Sequence, residues 1–301
     1  MTEAIIAGRF LHFMPAMLLF GAPAFRAALV GWAPAWMLSG LDARLRQPLV
    51  ATAIVGFVSA VLVLAVETAN MAGRWAAAID FGVLGTVLGE TAFGAVWRWH
   101  VLFALGVFAA AIVDRTGTRV MLLVLSALFL GSLALTGHAA ADEGAIGVIR
   151  RASQAVHLLA AGLWLGGLVP LAIALRLSSG RADVATADRT LRRFSGLGAG
   201  AVALILLSGM VNSWFSVGGW SDLLGTSYGR ALTIKLVLVA GMVALAVVNR
   251  FVLLPSYGRE PGLASRRLSR NIVLELVLGT LIILVASVLG TLPPAGHGAT
   301  E

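Results

Sequence analysis

A chain of 301 residues that is 59% hydrophobic and only 12% charged cannot fold as a soluble domain, because charged residues normally approach a quarter of such a composition. Its net charge of +8 would suit nucleic acid only if the charge formed an accessible patch, so its distribution along the chain decides that question. The absence of cysteine excludes disulfides, iron–sulfur clusters, thiolate zinc sites and thiol redox chemistry.

A membrane-crossing helix needs about 20 mostly apolar residues. Eight such runs follow one another, at 5–30, 49–70, 98–114, 119–137, 153–175, 196–217, 230–250 and 271–292. The expected fold is therefore an all-α polytopic membrane protein of about eight transmembrane helices, with residues 1–301 forming a single membrane domain and no soluble domain. A secretory signal peptide opens on basic residues and ends at an A-x-A site. Here MTEAIIAGRF puts an acid before the first base, so the first run is expected to remain as a span. The 35 glycines suit helices that pack closely in lipid.

The basic residues sort by loop. Arg26 lies at the inner end of the first span, Arg44 and Arg46 follow it, and Arg115 and Arg119 lie between the third and fourth. Arg176, Arg181, Arg189, Arg192 and Arg193 separate the fifth and sixth, and Arg250, Arg259, Arg266, Arg267 and Arg270 the seventh and eighth. With eight crossings all of these fall on one side. Short cytoplasmic loops accumulate Lys and Arg, so this side is expected to be cytoplasmic and both termini periplasmic. The positive charge is then a topology signal, and no nucleic-acid partner is expected. The partner it implies is membrane lipid, with RRFS (192–195) and SRRLSR (265–270) as headgroup anchors.

On this orientation all five histidines lie in the outer half. In the first span, GRFLHFMPAMLLFG carries His12, Met14 and Met17, with Pro15 between them; Met14 and Met17 share a helix face. Pro15 removes a backbone hydrogen bond and makes room for a ligand or water. The second span ends in AVETANMAG, where Glu67 and Met71 are four residues apart. An ionisable group inside a span is costly and points to function unless it is paired, and Arg74 is the bland partner for Glu67. His100 opens the third span, His138 closes the fourth, and His157 opens the fifth. His157 and Trp164 are seven residues apart and share a face, with Gly166 and Gly167 beyond. The tail holds His297.

A single methionine in a span is ordinarily core filling, and a single histidine a satisfied packing residue. His12, Met14, Met17, Glu67 and Met71 at one expected depth go beyond that, because imidazole with thioether suits copper. Zinc more often asks for thiolate or carboxylate. His138 and His157, on adjacent helix ends, could share a metal ion or a haem iron, and their spacing does not separate the two. The chain contains no G-x-S-x-G, H-E-x-x-H, P-loop or Rossmann glycine pattern, which argues against a hydrolase or a nucleotide-driven pump.

TGHA at 136–139 with HLLAAGLWLGGL at 157–168 resembles the copper resistance protein D family (CopD, also PcoD). The likeness continues through RRFSGLGAGAVALILLSGMVNSW (192–214), GTSYGRALTIKLVLVAGMVALAVVNRFVLLP (225–255) and LELVLGTLIILVASVLGTLPP (274–294). It marks residues 190–294 as a CopD-like C-terminal membrane core, and the opening LHFMPAMLLFGAPAF is also family-like. The resemblance implies a bacterial inner-membrane protein that takes copper, as Cu(I) or Cu(II), from the periplasm toward the cytoplasm. It also implies a separate periplasmic carrier similar to CopC, and a binding protein rather than an enzyme. The expected site is His12, Met14, Met17, Glu67 and Met71, with His138 and His157 at the entrance. The rival expectations are a b-type haem oxidoreductase and a copper-binding sensor or assembly protein that moves nothing.

Overall fold

The computed structural model describes residues 1–113, 117–137, 144–217 and 219–294. His138 and His297 lie outside the described residues. The helices are α1 (Thr2–Leu29), α2 (Ala35–Met71), α3 (Phe81–Glu90), α4 (Ala92–Val113), α5 (Thr118–Ser132) and α6 (Gly144–Gly180). They continue with α7 (Val184–Ser216), the short α8 (Trp220–Gly225), α9 (Ser227–Val248), α10 (Leu254–Tyr257) and α11 (Pro261–Leu289). One π-helical turn, Asn249–Leu253, joins α9 to α10. No strand occurs among the described residues. Among the described residues eight helical stretches are long and apolar enough to cross a membrane, with α9 to α10 counting as one.

Several helices outrun their apolar runs. The second run covers 49–70, yet α2 begins at Ala35 and has 37 residues, about 55 Å at 1.5 Å per residue. The hydrocarbon layer is only about 30 Å thick. The extra turns carry polar sequence such as DARLRQ, which hydropathy discounts but which has no helix breaker. α6, α7 and α11 extend in the same way. The short apolar helix α3 is an addition to the eight expected runs. It starts because the Asp80 side chain caps the amides of Gly82 and Val83. The Val83 amide and Arg74 hold the Asp80 carboxyl below the usual carboxylate range.

α1 is the central helix and packs on α2, α5, α6 and α11. On one side it joins a core with Ala60 of α2, Trp97 of α4 and Phe129 of α5. On the other, Phe25 and Ala22 pack with Trp164, Leu168 and Leu175 of α6 and Phe194 of α7. The α1–α6 seam is backbone against backbone: a β-carbon on Gly21 would meet Gly162 and Gly166, and one on Gly166 would meet the Met17 carbonyl.

The arginines of the connecting loops gather at one end. Arg26 of α1 makes two contacts with Asp42 of α2, at 2.5 and 3.0 Å, and Arg119 of α5 reaches the same carboxylate at 2.8 Å. Arg181 and Arg193 lie over the Trp36 and Trp32 rings, and Arg250 Nη1 donates to the Ser195 carbonyl at 2.8 Å. At the opposite end Arg9 donates to the Gly290 carbonyl, tying α1 to the close of α11.

Candidate metal centre

His12 and His100 meet in the first half of the bundle. α1 supplies His12, α2 Ser59, α4 Trp97 and His100, and α5 Phe129; Ser132 ends α5. The two Nε2 atoms are 2.8 Å apart. His12 Nδ1 is 2.8 Å from Ser59 Oγ, and His100 Nδ1 is 2.8 Å from Ser132 Oγ. His12 is 2% exposed and His100 0%, so neither ring exchanges these partners for bulk water.

Each serine hydroxyl also lies against its own helix: Ser59 Oγ is 3.1 Å from the Gly56 carbonyl and Ser132 Oγ is 2.9 Å from the Phe129 carbonyl. Two hydroxyls and two neutral imidazoles bring four protons to five contacts, so a neutral pair satisfies four of them, with one Nε2–H donating to the other Nε2. In the tautomer with both N–H groups at Nδ1, donating to the serines, the two Nε2 lone pairs face each other and are free to take a proton or a metal cation between them.

The surroundings are aromatic and rigid. His100 is stacked between Trp97, at 4.5 Å between ring centroids, and Phe129, at 4.4 Å. Trp97 is fixed by its indole N–H to the Ala60 carbonyl and by Phe93 stacked on its other face. His12 meets Phe129 edge-on and Trp97 at a tilt. An apolar wall strengthens any charge–dipole or metal–ligand interaction inside it. The 2.8 Å separation between the nitrogens leaves no space for a porphyrin.

The sequence candidates are distributed around this pair. His12 is in it. Met17 is buried in the same aromatic cluster as Trp97 and Phe129, and its backbone abuts Gly162 and Gly166 of α6. Met14 is half-buried against the same aromatic core. Glu67 lies eight residues beyond Ser59 on α2, about 12 Å further along the helix. It is half-buried, faces Arg9 and bonds Asn70. Arg74, its bland sequence partner, pairs instead with Asp80 at 3.2 Å. Met71 is 49% exposed at the end of α2. His157 sits on α6, with Nδ1 3.0 Å from Ser208 Oγ of α7. Among the described residues no three of His, Asp and Glu gather into a metal-holding group.

Sequence reasoning noted His100 but did not join it to His12. Two signals were present: WRWH puts Trp97 and His100 on one face, and Ser59 and Ser132 are isolated hydroxyls within apolar runs. Neither signal says which helices touch.

The comparisons with known proteins agree along the whole chain. Residues 1–148 match the family described as copper resistance protein D-like, N-terminal domain, and residues 188–289 match copper resistance protein D. Inner membrane protein YebZ of Escherichia coli (strain K12) is 33% identical over 290 residues, covering 96% of this chain and 98% of that protein. Copper resistance protein D of Pseudomonas syringae pv. tomato is 34% identical over 305 residues, with 96% of each chain covered. Copper transport protein CutJ of Bacillus subtilis (strain 168) is 32% identical over 249 residues, covering 80% of this chain and 44% of that protein. No solved structure matches. With eight apolar helices and relatives aligned end to end, the chain is a multi-pass bacterial inner-membrane protein that belongs to the copper resistance protein D family.

Proposed function

We propose that the protein accepts copper at the periplasmic face and supports its passage toward the cytoplasm, with the His12–His100 pair as the ion's binding point inside the membrane. A role in copper handling follows from family membership. The observation that carries the finer reading is the close approach of two buried imidazole Nε2 atoms, 2.8 Å apart, each ring held at Nδ1 by a serine. Cu(I) accepts two imidazole nitrogens in line, and imidazole suits either copper state. At about 2 Å per metal–nitrogen bond, the rings must part by roughly 1 Å to admit the ion.

The remaining sequence candidates take places on the way in. Glu67 and Met71 stand near the outer end of α2, Met14 and Met17 flank the His12 turn, and His157 lies 13 residues into α6 rather than at its start; His138, the other expected entrance residue, lies outside the described residues. The arginine-rich end faces the cytoplasm and both termini face the periplasm, as the charge asymmetry supports. Copper would be handed over by a separate periplasmic carrier similar to CopC. The protein binds and moves its ion without chemical conversion, so it is not an enzyme. The name of CutJ, a copper transport protein, supports movement over static binding.

Copper uptake into proteoliposomes tests this. Uptake should exceed that of protein-free vesicles and vanish when His12 and His100 are both replaced by alanine. Binding without uptake would replace transport by sensing or assembly, and a Soret band in the purified protein would favour the haem rival.

The serines offer a finer measurement. Ser59→Ala and Ser132→Ala each remove the acceptor that fixes a ligand's tautomer, and loss of such outer partners typically costs 10–100-fold in metal affinity. Competition with a chromophoric Cu(I) chelator should show about that loss for each variant. Unchanged affinity would mean that the serines do not set the imidazoles.

A further inference from the structure

The second half of the bundle contains a carboxyl group that copper binding at the histidine pair does not use. Glu275 of α11 is 2% exposed and lies near the middle of a 29-residue membrane helix. Asn249 Nδ2 donates to its Oε1 at 2.7 Å, and the Trp164 indole is a second donor. Asn271 Nδ2 donates in turn to Asn249 Oδ1 at 2.7 Å. Asn249 begins the π-helical turn at the end of α9, and such turns are frequent at functional sites.

No cation pairs with this carboxyl among the described residues. Of the elements packed on α11, α1 brings Arg9, which bonds Gly290, and α6 brings His157, which faces Lys235 of α9. Arg250, in the π-turn, bonds Ser195, and Tyr257 of α10 bonds Ser265. The arginines of α11 itself, Arg266, Arg267 and Arg270, are exposed. A carboxylate in hydrocarbon without a counter-charge costs many kcal/mol unless it takes up a cation. Donors already occupy Glu275, and among the described residues no other His, Asp or Glu joins it in a metal-holding group. A proton needs one lone pair and no further ligand.

The neighbours also form a line. His157 and Trp164 share one face of α6, Trp164 touches Glu275, and Asn249 and Asn271 continue toward the arginine-rich end. We propose that Glu275 is a proton-binding site inside the membrane, loaded and unloaded along this polar line, and that its proton is the counter-ion for copper movement. The step balances simply: carboxylate plus a proton from water gives the carboxylic acid, and the proton returns to water. The coupling to copper rests on the transport reading above, whereas the proton site itself does not.

Dicyclohexylcarbodiimide tests the site without copper. It reacts with protonated carboxyls in apolar surroundings: the acid proton moves to one nitrogen, the carboxyl oxygen bonds the central carbon, and rearrangement leaves a stable N-acylurea. Peptide mass spectrometry of the full-length protein in vesicles should find Glu275 modified. The labelling should fall about tenfold per pH unit above its midpoint. Glu67, beside Arg9, serves as the internal reference and should be labelled less. In proteoliposomes Glu275→Gln should keep copper binding at the histidine pair but flatten the dependence of uptake on pH. A purely structural role for Glu275 would leave that profile unchanged, since glutamine keeps the acceptor oxygen. Absence of labelling at every pH, in protein that still binds copper, overturns the proton site. A wild-type pH profile in Glu275→Gln overturns the coupling, and failure of the wild type to take up copper at all tells against transport while the labelling still decides the proton site.

Discussion

Replacing His100 by glutamine should weaken copper binding by at least about 100-fold, because a direct donor is lost where even outer partners account for 10–100-fold. Glutamine keeps a polar group of similar reach in the buried space, so the helices should stay packed and the loss should appear in affinity rather than in yield. The same substitution at His12 should give a comparable loss. The double variant should be little worse than either single one, since two ligands acting as a unit are not additive. Chelator competition on the purified protein measures all three. Full affinity in His100→Gln would remove the pair as the binding point and return attention to Glu67 and Met71. X-ray absorption on the copper-loaded wild type adds a second readout, in which two nitrogen neighbours at about 2 Å are expected.

The second large effect concerns the α1–α6 seam. Gly166→Val would place a β-carbon against the Met17 carbonyl and the Gly21 backbone, where no flexible side chain can yield. Overpacking typically costs 1–3 kcal/mol, and backbone against backbone belongs at or above the top of that range. A drop of several degrees in the thermal midpoint in detergent is expected, with Gly200→Ala as the control because a β-carbon there would enter open space. Met17 is five residues from His12 on the same helix, so a displaced α1 carries the ligand with it. Copper affinity should fall in Gly166→Val and stay unchanged in Gly200→Ala. A stable Gly166→Val protein would show that the seam tolerates separation.

How much of this was legible in the sequence differs between fold and site. Eight crossings follow from apolar runs, which respond to the thickness of the bilayer and to nothing tertiary. The gathering of Arg26, Arg119, Arg181, Arg193 and Arg250 at one end also follows from counting charges by loop. Helix ends were less legible, because DARLRQ continues α2 without being apolar. The site was legible only in part. His12 stood out as a histidine beside a proline in a span, and the expectation grouped it with residues near it in sequence or in assumed depth. Its actual partner is 88 residues away on α4. Which side chain of α1 meets α4 is a matter of how the helices pack, and periodicity within one helix does not encode that choice. Glu275 and Asn249 stand in the sequence as polar residues in apolar runs, but the bond between them joins α11 to the π-turn that follows α9, a tertiary contact that hydropathy does not mark.

The aromatic stacking around the pair has a mechanical consequence. His100 is clamped on both faces by Trp97 and Phe129, while His12 has only tilted and edge contacts. On the copper reading proposed above, the ring separation that admits the ion falls on His12, the looser jaw. That jaw is mounted on a helix already weakened one turn away by Pro15. α1 also borders the second half of the bundle through its glycine seam, so a bend that opens the jaw presses on the Gly162 and Gly166 face of α6. On that reading α1 links the two halves of the protein, touching the histidine pair on one side and α6 on the other.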